Sequence, residues 1–88
     1  MFGLFGHKLV DYKTYIPEKK VWVSTVAYDI PIGDDRCAET MVFRGNEKGI
    51  TDWEELYFES HGMETDPEIL RKKHEEIVRK IKTGVIKV

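Results

Sequence analysis

From Cys37 to Ser60 apolar and polar residues alternate with a period of two, and from Thr65 to Lys82 they recur with the period of a helix. The helix carries the clearest signal. Thr65-Asp66-Pro67-Glu68 reads as a capping box, the Thr65 hydroxyl taking the Glu68 N–H and the Glu68 carboxylate reaching back to the Thr65 N–H. Pro67 sits in the first turn, where a missing N–H costs nothing. Ile69, Leu70, Ile77, Val78 and Ile81 share one face, and Gly84 stands where a left-handed cap stops the helix.

Lys20 to Ile30 reads as a strand apolar on both faces, with Val21, Val23, Thr25 and Ala27 alternating against Trp22, Ser24, Val26 and Tyr28. Pro31 and Gly33-Asp34-Asp35 break it into a loop. A second strand runs from Cys37 to Arg44, a turn covers Gly45 to Gly49, and a third strand runs from Thr51 to Ser60. Residues 8–16 alternate only loosely, with Leu9, Tyr12 and Ile16 as core contacts and Pro17 as their end. Residues 1–8 read as a disordered tail, a segment tucked onto the domain or a contact for a partner, and Val85 to Val88 as a short strand or a frayed end. The expected architecture is a single α+β domain over residues 1–88. It is an antiparallel meander of three to four strands with one C-terminal helix packed across one face. A helix of about eighteen residues is roughly 27 Å long, enough to cross such a sheet.

One helix shields one face only. Met41, Phe43, Leu56 and Phe58 are expected to meet Leu70, Ile77 and Ile81. Val42, Trp53, Tyr57 and part of the Val21–Tyr28 strand then form the opposite face, and pleat direction leaves the two faces exchangeable. Whichever way it falls, the uncovered face is too aromatic to stand bare: it is covered by the N-terminal segment, paired with a second copy or used to hold a partner.

Composition narrows the class. Charged residues make up 34% and hydrophobic residues 41%, which suits a folded globular chain rather than a disordered one. No apolar run approaches the ~20 residues of a membrane span, and the opening residues lack the pattern of a signal peptide. The single cysteine, Cys37, excludes an internal disulfide and fits a reducing compartment, so a cytoplasmic protein is expected. Net charge is −2, but it is unevenly spread. Residues 1–28 carry four lysines against Asp11 and Glu18, a balance of +2. Residues 29–68 carry twelve acids against Arg36, Arg44 and Lys48, a balance of −9. Residues 69–88 carry seven bases against Glu75 and Glu76, a balance of +5. Acids near a helix start and bases near its end both suit the macrodipole, which explains much of this asymmetry.

The segments Val23-Ser24-Thr25-Val26, Glu39-Thr40-Met41-Val42-Phe43, Thr51-Asp52-Trp53-Glu54-Glu55-Leu56-Tyr57 and His74-Glu75-Glu76-Ile77-Val78 resemble, in order and spacing, a family of small proteins encoded by phages, prophages and bacteria. The likeness spans about residues 20–80, and its most specific parts are the Glu39–Phe43 and Asp52–Tyr57 segments. The chain departs from the family in the short loop of residues 29–36, where the family often carries a longer insertion with aromatics. The resemblance implies a phage-like origin and brings no catalytic residues with it.

Candidate chemistry is sparse. His74 lies on or beside the apolar helix face, where a packed histidine bonded to the sheet is expected; a pH-sensitive contact is the functional alternative. His7, His61, His74 and Cys37 lack metal-site spacing, so no cofactor or structural zinc is expected. Cys37 has no nucleophile motif around it and reads as a small apolar filler. Asp52, Glu54, Glu55 and Glu59 read as a solvated edge rather than a catalytic pair, and no glycine cradle precedes a helix. Arg71, Lys72, Arg79 and Lys80 are candidate nucleic-acid contacts, with the acidic region nearby opposing phosphate. The leading expectation is therefore a non-catalytic interaction protein working through the second sheet face and acidic edge, around Val42, Trp53, Glu55, Tyr57 and Glu59. Its partner is another copy of the chain or a host protein; a nucleic-acid module using the basic helix is the alternative, and no membrane role is expected.

Overall fold

The computed structural model describes residues 6–33 and 35–88. Its elements are β1 (Lys8–Ile16), β2 (Val21–Tyr28), β3 (Ala38–Asn46), β4 (Gly49–Ser60) and α1 (Pro67–Lys82). The strands form one sheet in the order β1-β2-β3-β4, every pair antiparallel. This is the expected α+β meander, with the loosely patterned N-terminal segment supplying the fourth strand. Of the expected tail, residues 1–5 lie outside the described residues. His7 is tied down: its N–H donates to Asp29 Oδ1 at 2.7 Å, and its carbonyl accepts the Asp29 N–H at 3.0 Å.

Local chemistry sets each turn. Pro17 opens the β1–β2 hairpin and Lys20 closes it in the left-handed region at φ 56°, its N–H bonded to the Ile16 carbonyl at 2.9 Å. The β3–β4 hairpin is tighter than expected, because Asn46 and Gly49 pair across it and only Glu47 and Lys48 form the loop. The Asn46 side chain accepts the Lys48 N–H at 2.8 Å, an Asx turn that supports this narrowing. Beside it, Gly45 is required by space: a Cβ there would collide with the Gly49 carbonyl oxygen and the Trp22 ring.

The helix begins one residue later than the capping box implied. Asp66, not Thr65, is the N-cap, accepting the Glu68 N–H at 2.9 Å. Pro67 at the first helical position places the cap immediately before it, and the Glu68 carboxylate turns along the helix to Arg71 instead of back. Thr83 and Gly84, the latter at φ 83°, close the other end as expected. Ile86 folds back, its N–H on the Lys80 carbonyl at 3.0 Å and its side chain against the core, so Val85–Val88 adds no strand.

α1 lies over β1 and β2 and buries Leu70, His74, Ile77 and Ile81. Ile77 and Ile81 pack with Ile16, Val21, Val23 and Val42; Leu70 packs with Val10, Ala27 and Ala38. Three expectations change here. Val10 enters the core while Leu9 is left 49% exposed, because Leu9 falls opposite the inward row of Val10, Tyr12, Thr14 and Ile16. Val42 and Tyr57 face the helix, whereas Met41, Phe43 and Phe58 lie on the other side. Yet Leu56 stays on the helix side and Trp53 on the open side. The cause is a wide bulge: Tyr57 pairs with Val42 and Asp52 with Arg44, so Trp53, Glu54, Glu55 and Leu56 oppose Phe43 alone. Three extra residues are an odd number, and an odd insertion reverses the facing of everything beyond it.

Candidate interaction face

The sheet face away from α1 is built from Ser24, Val26 and Tyr28 of β2 and Glu39, Met41 and Phe43 of β3. With Lys8 and Lys13 on the β1 side, Ile32 at one end and Trp53 standing over Phe43, these residues enclose a hollow of about 590 Å³. The β4 bulge makes the wall. It lifts Trp53 above the sheet, with its ring centroid 5.2 Å from that of Phe43, and leaves it 71% exposed. A second, smaller hollow of about 220 Å³ lies on the far side of Trp53, between it and Trp22. Trp22 is held by its Nε1–H on the Asn46 carbonyl at 2.8 Å and by stacking with Tyr15. Trp53 thus projects between two depressions.

Charge at this face is mostly compensated. Asp11 pairs with Lys8 and Lys13, and the Lys13 hydrogen bond holds its carboxyl below the ordinary range. Glu39, 8% exposed, accepts from Arg36 Nε at 2.8 Å, and the Arg36 guanidinium lies over the Phe58 ring at 5.1 Å. The floor is therefore mainly apolar, with Ser24 within it and ion pairs at its two margins.

The five interaction candidates are split by the bulge. Trp53 is on the open face and exposed; Glu55 is exposed within the bulge itself. Val42 is fully buried under the helix, so it belongs to the core and not to a free face. Tyr57 is half-buried on the helix side, packed against the same cluster, and its hydroxyl donates to Glu59 Oε1 at 2.6 Å. That bond, reinforced by burial, pushes the Tyr57 hydroxyl up to about 12. Met41, Phe43 and Phe58 take the places on the open face expected of Val42 and Tyr57.

The four basic candidates on α1 are engaged to different degrees. Arg71 bridges Glu68 and Glu75, and Arg79 pairs with Glu76 at 2.9 Å. Lys80 Nζ lies 3.7 Å from the same Glu76 carboxylate, while Lys72 is exposed. Acids one turn away thus compensate much of the basic face.

The structure also assembles a group of polar residues under the helix that sequence reasoning left dispersed. Thr14 Oγ1 lies 2.8 Å from His74 Nε2, and His74 Nδ1 lies 2.7 Å from Thr25 Oγ1. Thr25 and Thr40, opposite each other in register, bond at 2.6 Å, and Thr40 Oγ1 lies 2.7 Å from His61 Nε2. His61 Nδ1 is buried with no hydrogen-bond partner among the described residues, and the Glu59 carboxylate stands 3.9 Å away. Burial pushes both imidazoles below their ordinary value of 6.5. His74 is thus the packed, sheet-bonded histidine the helix pattern implied; His61 was not singled out. Cys37 is buried with its sulfur 3.8 Å from that of Met63. Among the described residues no cluster of three His, Cys, Asp or Glu is placed to hold a metal ion, and no helix is long and apolar enough to cross a membrane.

Comparison with protein-family models, with curated proteins and with solved structures finds no match to this chain.

Proposed function

We propose that this is a non-catalytic interaction protein whose open sheet face packs against a second copy of the chain, forming a homodimer of accessory character. The observation that carries the proposal is Trp53, a large apolar side chain 71% exposed beside a mainly apolar hollow on its own face. Projection and recess on one surface suit a two-fold contact, in which each Trp53 enters the partner's hollow. Burying the exposed part of an indole at ~25 cal/mol per Å² contributes roughly 3–4 kcal/mol per chain. Met41 and Phe58, the latter 40% exposed, add to it. Four strands ~4.8 Å apart and about eight residues long offer a face of the order of 19 by 26 Å. That is about 500 Å² in projection, short of the roughly 800 Å² a standard interface takes from each partner, so the raised Trp53 and the margins of the hollow must supply the rest. The β1 edge, by contrast, carries Lys8, Asp11 and Lys13, charges that discourage strand addition.

The resemblance of residues 20–80 to small phage and bacterial proteins fits an accessory role, and the lone reduced cysteine fits a cytoplasmic one. Sedimentation equilibrium tests the proposal. The wild-type chain is expected at twice its 10.3 kDa mass. Trp53→Glu, which leaves the core untouched, should sediment as a folded monomer. A wild-type chain that stays monomeric at millimolar concentration overturns self-association.

A further inference from the structure

The hydrogen-bond chain under α1 joins side chains from β1, β2, β3, the segment after β4, and the helix. A neutral imidazole has one N–H and one lone pair, and a hydroxyl has one hydrogen to give. With each contact made and each buried hydroxyl hydrogen used, only two arrangements exist. In one, Thr14 donates to His74 Nε2, His74 Nδ1–H donates to Thr25, Thr25 to Thr40, and Thr40 to His61 Nε2. His61 then carries its hydrogen on Nδ1. In the other, every donor reverses, both histidines carry Nε2–H, and His61 Nδ1 is a bare lone pair.

The far end distinguishes them. Among the described residues His61 Nδ1 is the buried side-chain atom without a partner, and the Glu59 carboxylate lies 3.9 Å from it. A carboxylate attracts an N–H and repels a lone pair, so the first arrangement is favoured. The remaining charges largely balance: Glu39 of β3 and Lys73 of α1 act on His61, and Glu75 of α1 and Lys13 of β1 act on His74. The uncharged Tyr12 ring lies 5.9 Å from that of His74. We infer that Glu59 sets the direction of the chain, holding both histidines as Nδ1–H tautomers and making the helix–sheet contact an acid-sensitive lock.

The lock tolerates one added proton and not two. Protonated His74 donates from both nitrogens, and the half-buried Thr14 turns its own hydrogen outward. Protonating His61 as well puts an Nε2–H against the Thr40 hydroxyl, which must turn towards Thr25. Thr25, fully buried, then accepts twice and its own hydrogen has no acceptor among these groups. Burial disfavours the charged form of both rings.

Imidazole ¹⁵N and ¹³C NMR of the full chain tests this. At neutral pH both histidines should show Nδ1–H shifts. Glu59→Lys at this half-exposed position replaces the acceptor with a group that can only donate to His61 Nδ1, and should convert His61 to Nε2–H and carry His74 with it. Adding Thr40→Val should make the His74 tautomer independent of residue 59. On acidification one histidine should titrate without opening the helix, and amide exchange under α1 should rise only when the second titrates. A wild-type His61 carrying Nε2–H, a His74 indifferent to Glu59→Lys, or amide exchange under α1 that already rises with the first histidine to titrate overturns the inference.

Discussion

At the scale of single residues, the threonine–histidine chain shows how buried polar groups stay compatible with a small core. Thr25 and Thr40 are fully buried and each satisfies the other as well as a histidine. Thr40→Val keeps the volume but strands the Thr25 hydrogen and His61 Nε2. Chemical denaturation should show a loss of about 1–3 kcal/mol, the penalty for an unsatisfied buried group. The pH dependence follows from burial. Both histidines have folded values below 6.5, so above that pH neither state is protonated and stability is flat. As pH falls through 6.5 the unfolded chain takes up protons that the folded chain resists. Stability should drop by up to about 1.4 kcal/mol per pH unit for each histidine until the folded values are reached. A denaturation series from pH 7.5 to 5 checks this, and a rise in stability across that range would contradict it. Gly45→Ala is expected to destabilise or to splay the β3–β4 hairpin, because the obstructing atom is the Gly49 backbone oxygen and cannot swing away. The signal for the chain was present in the sequence as inward threonines on adjacent strands and a histidine on an apolar helix face. It became a site only once register placed Thr25 opposite Thr40.

At the scale of elements, the parts with a strong period were legible and the irregular ones were not. β2, β3 and α1 follow their two- and 3.6-residue patterns almost to the residue, because each buries a face against a neighbour. β1 looked loose because Leu9 falls opposite the inward row of Val10, Tyr12, Thr14 and Ile16, which mixes a polar threonine among its apolar residues. The β4 bulge left no mark: Trp53 through Ser60 alternates as well as any regular strand, yet three surplus residues reverse its facing partway along. This is why Val42 and Tyr57, expected on the free face, lie under the helix while Trp53 does not. The helix start was legible to within one residue, since Thr65 and Asp66 are both capable caps and Pro67 decides between them. Asp66→Ala should therefore lower stability by about 1 kcal/mol, while Thr65→Ala should have little effect on the cap. Comparing the two by thermal unfolding separates the assignments.

At the scale of the molecule, the governing fact is unequal cover. α1 shields β1 and β2 from one side, and the face opposite keeps a hollow of about 590 Å³ with Trp53 projecting beside it. That an apolar face would remain after one helix was placed followed from the count of elements; which residues it would hold did not, because the bulge decides that. The same bulge supplies both the projection and a wall of the recess, so the proposed dimer contact grows from a local irregularity in one strand. The most direct measurement is an isotope-filtered NOE experiment on a mixed sample of labelled and unlabelled chains. The account predicts cross-peaks between the Trp53 indole of one chain and the Val26 and Met41 methyls of the other. Trp53 contacts confined to its own chain, in a sample whose diffusion is that of a monomer, would contradict it.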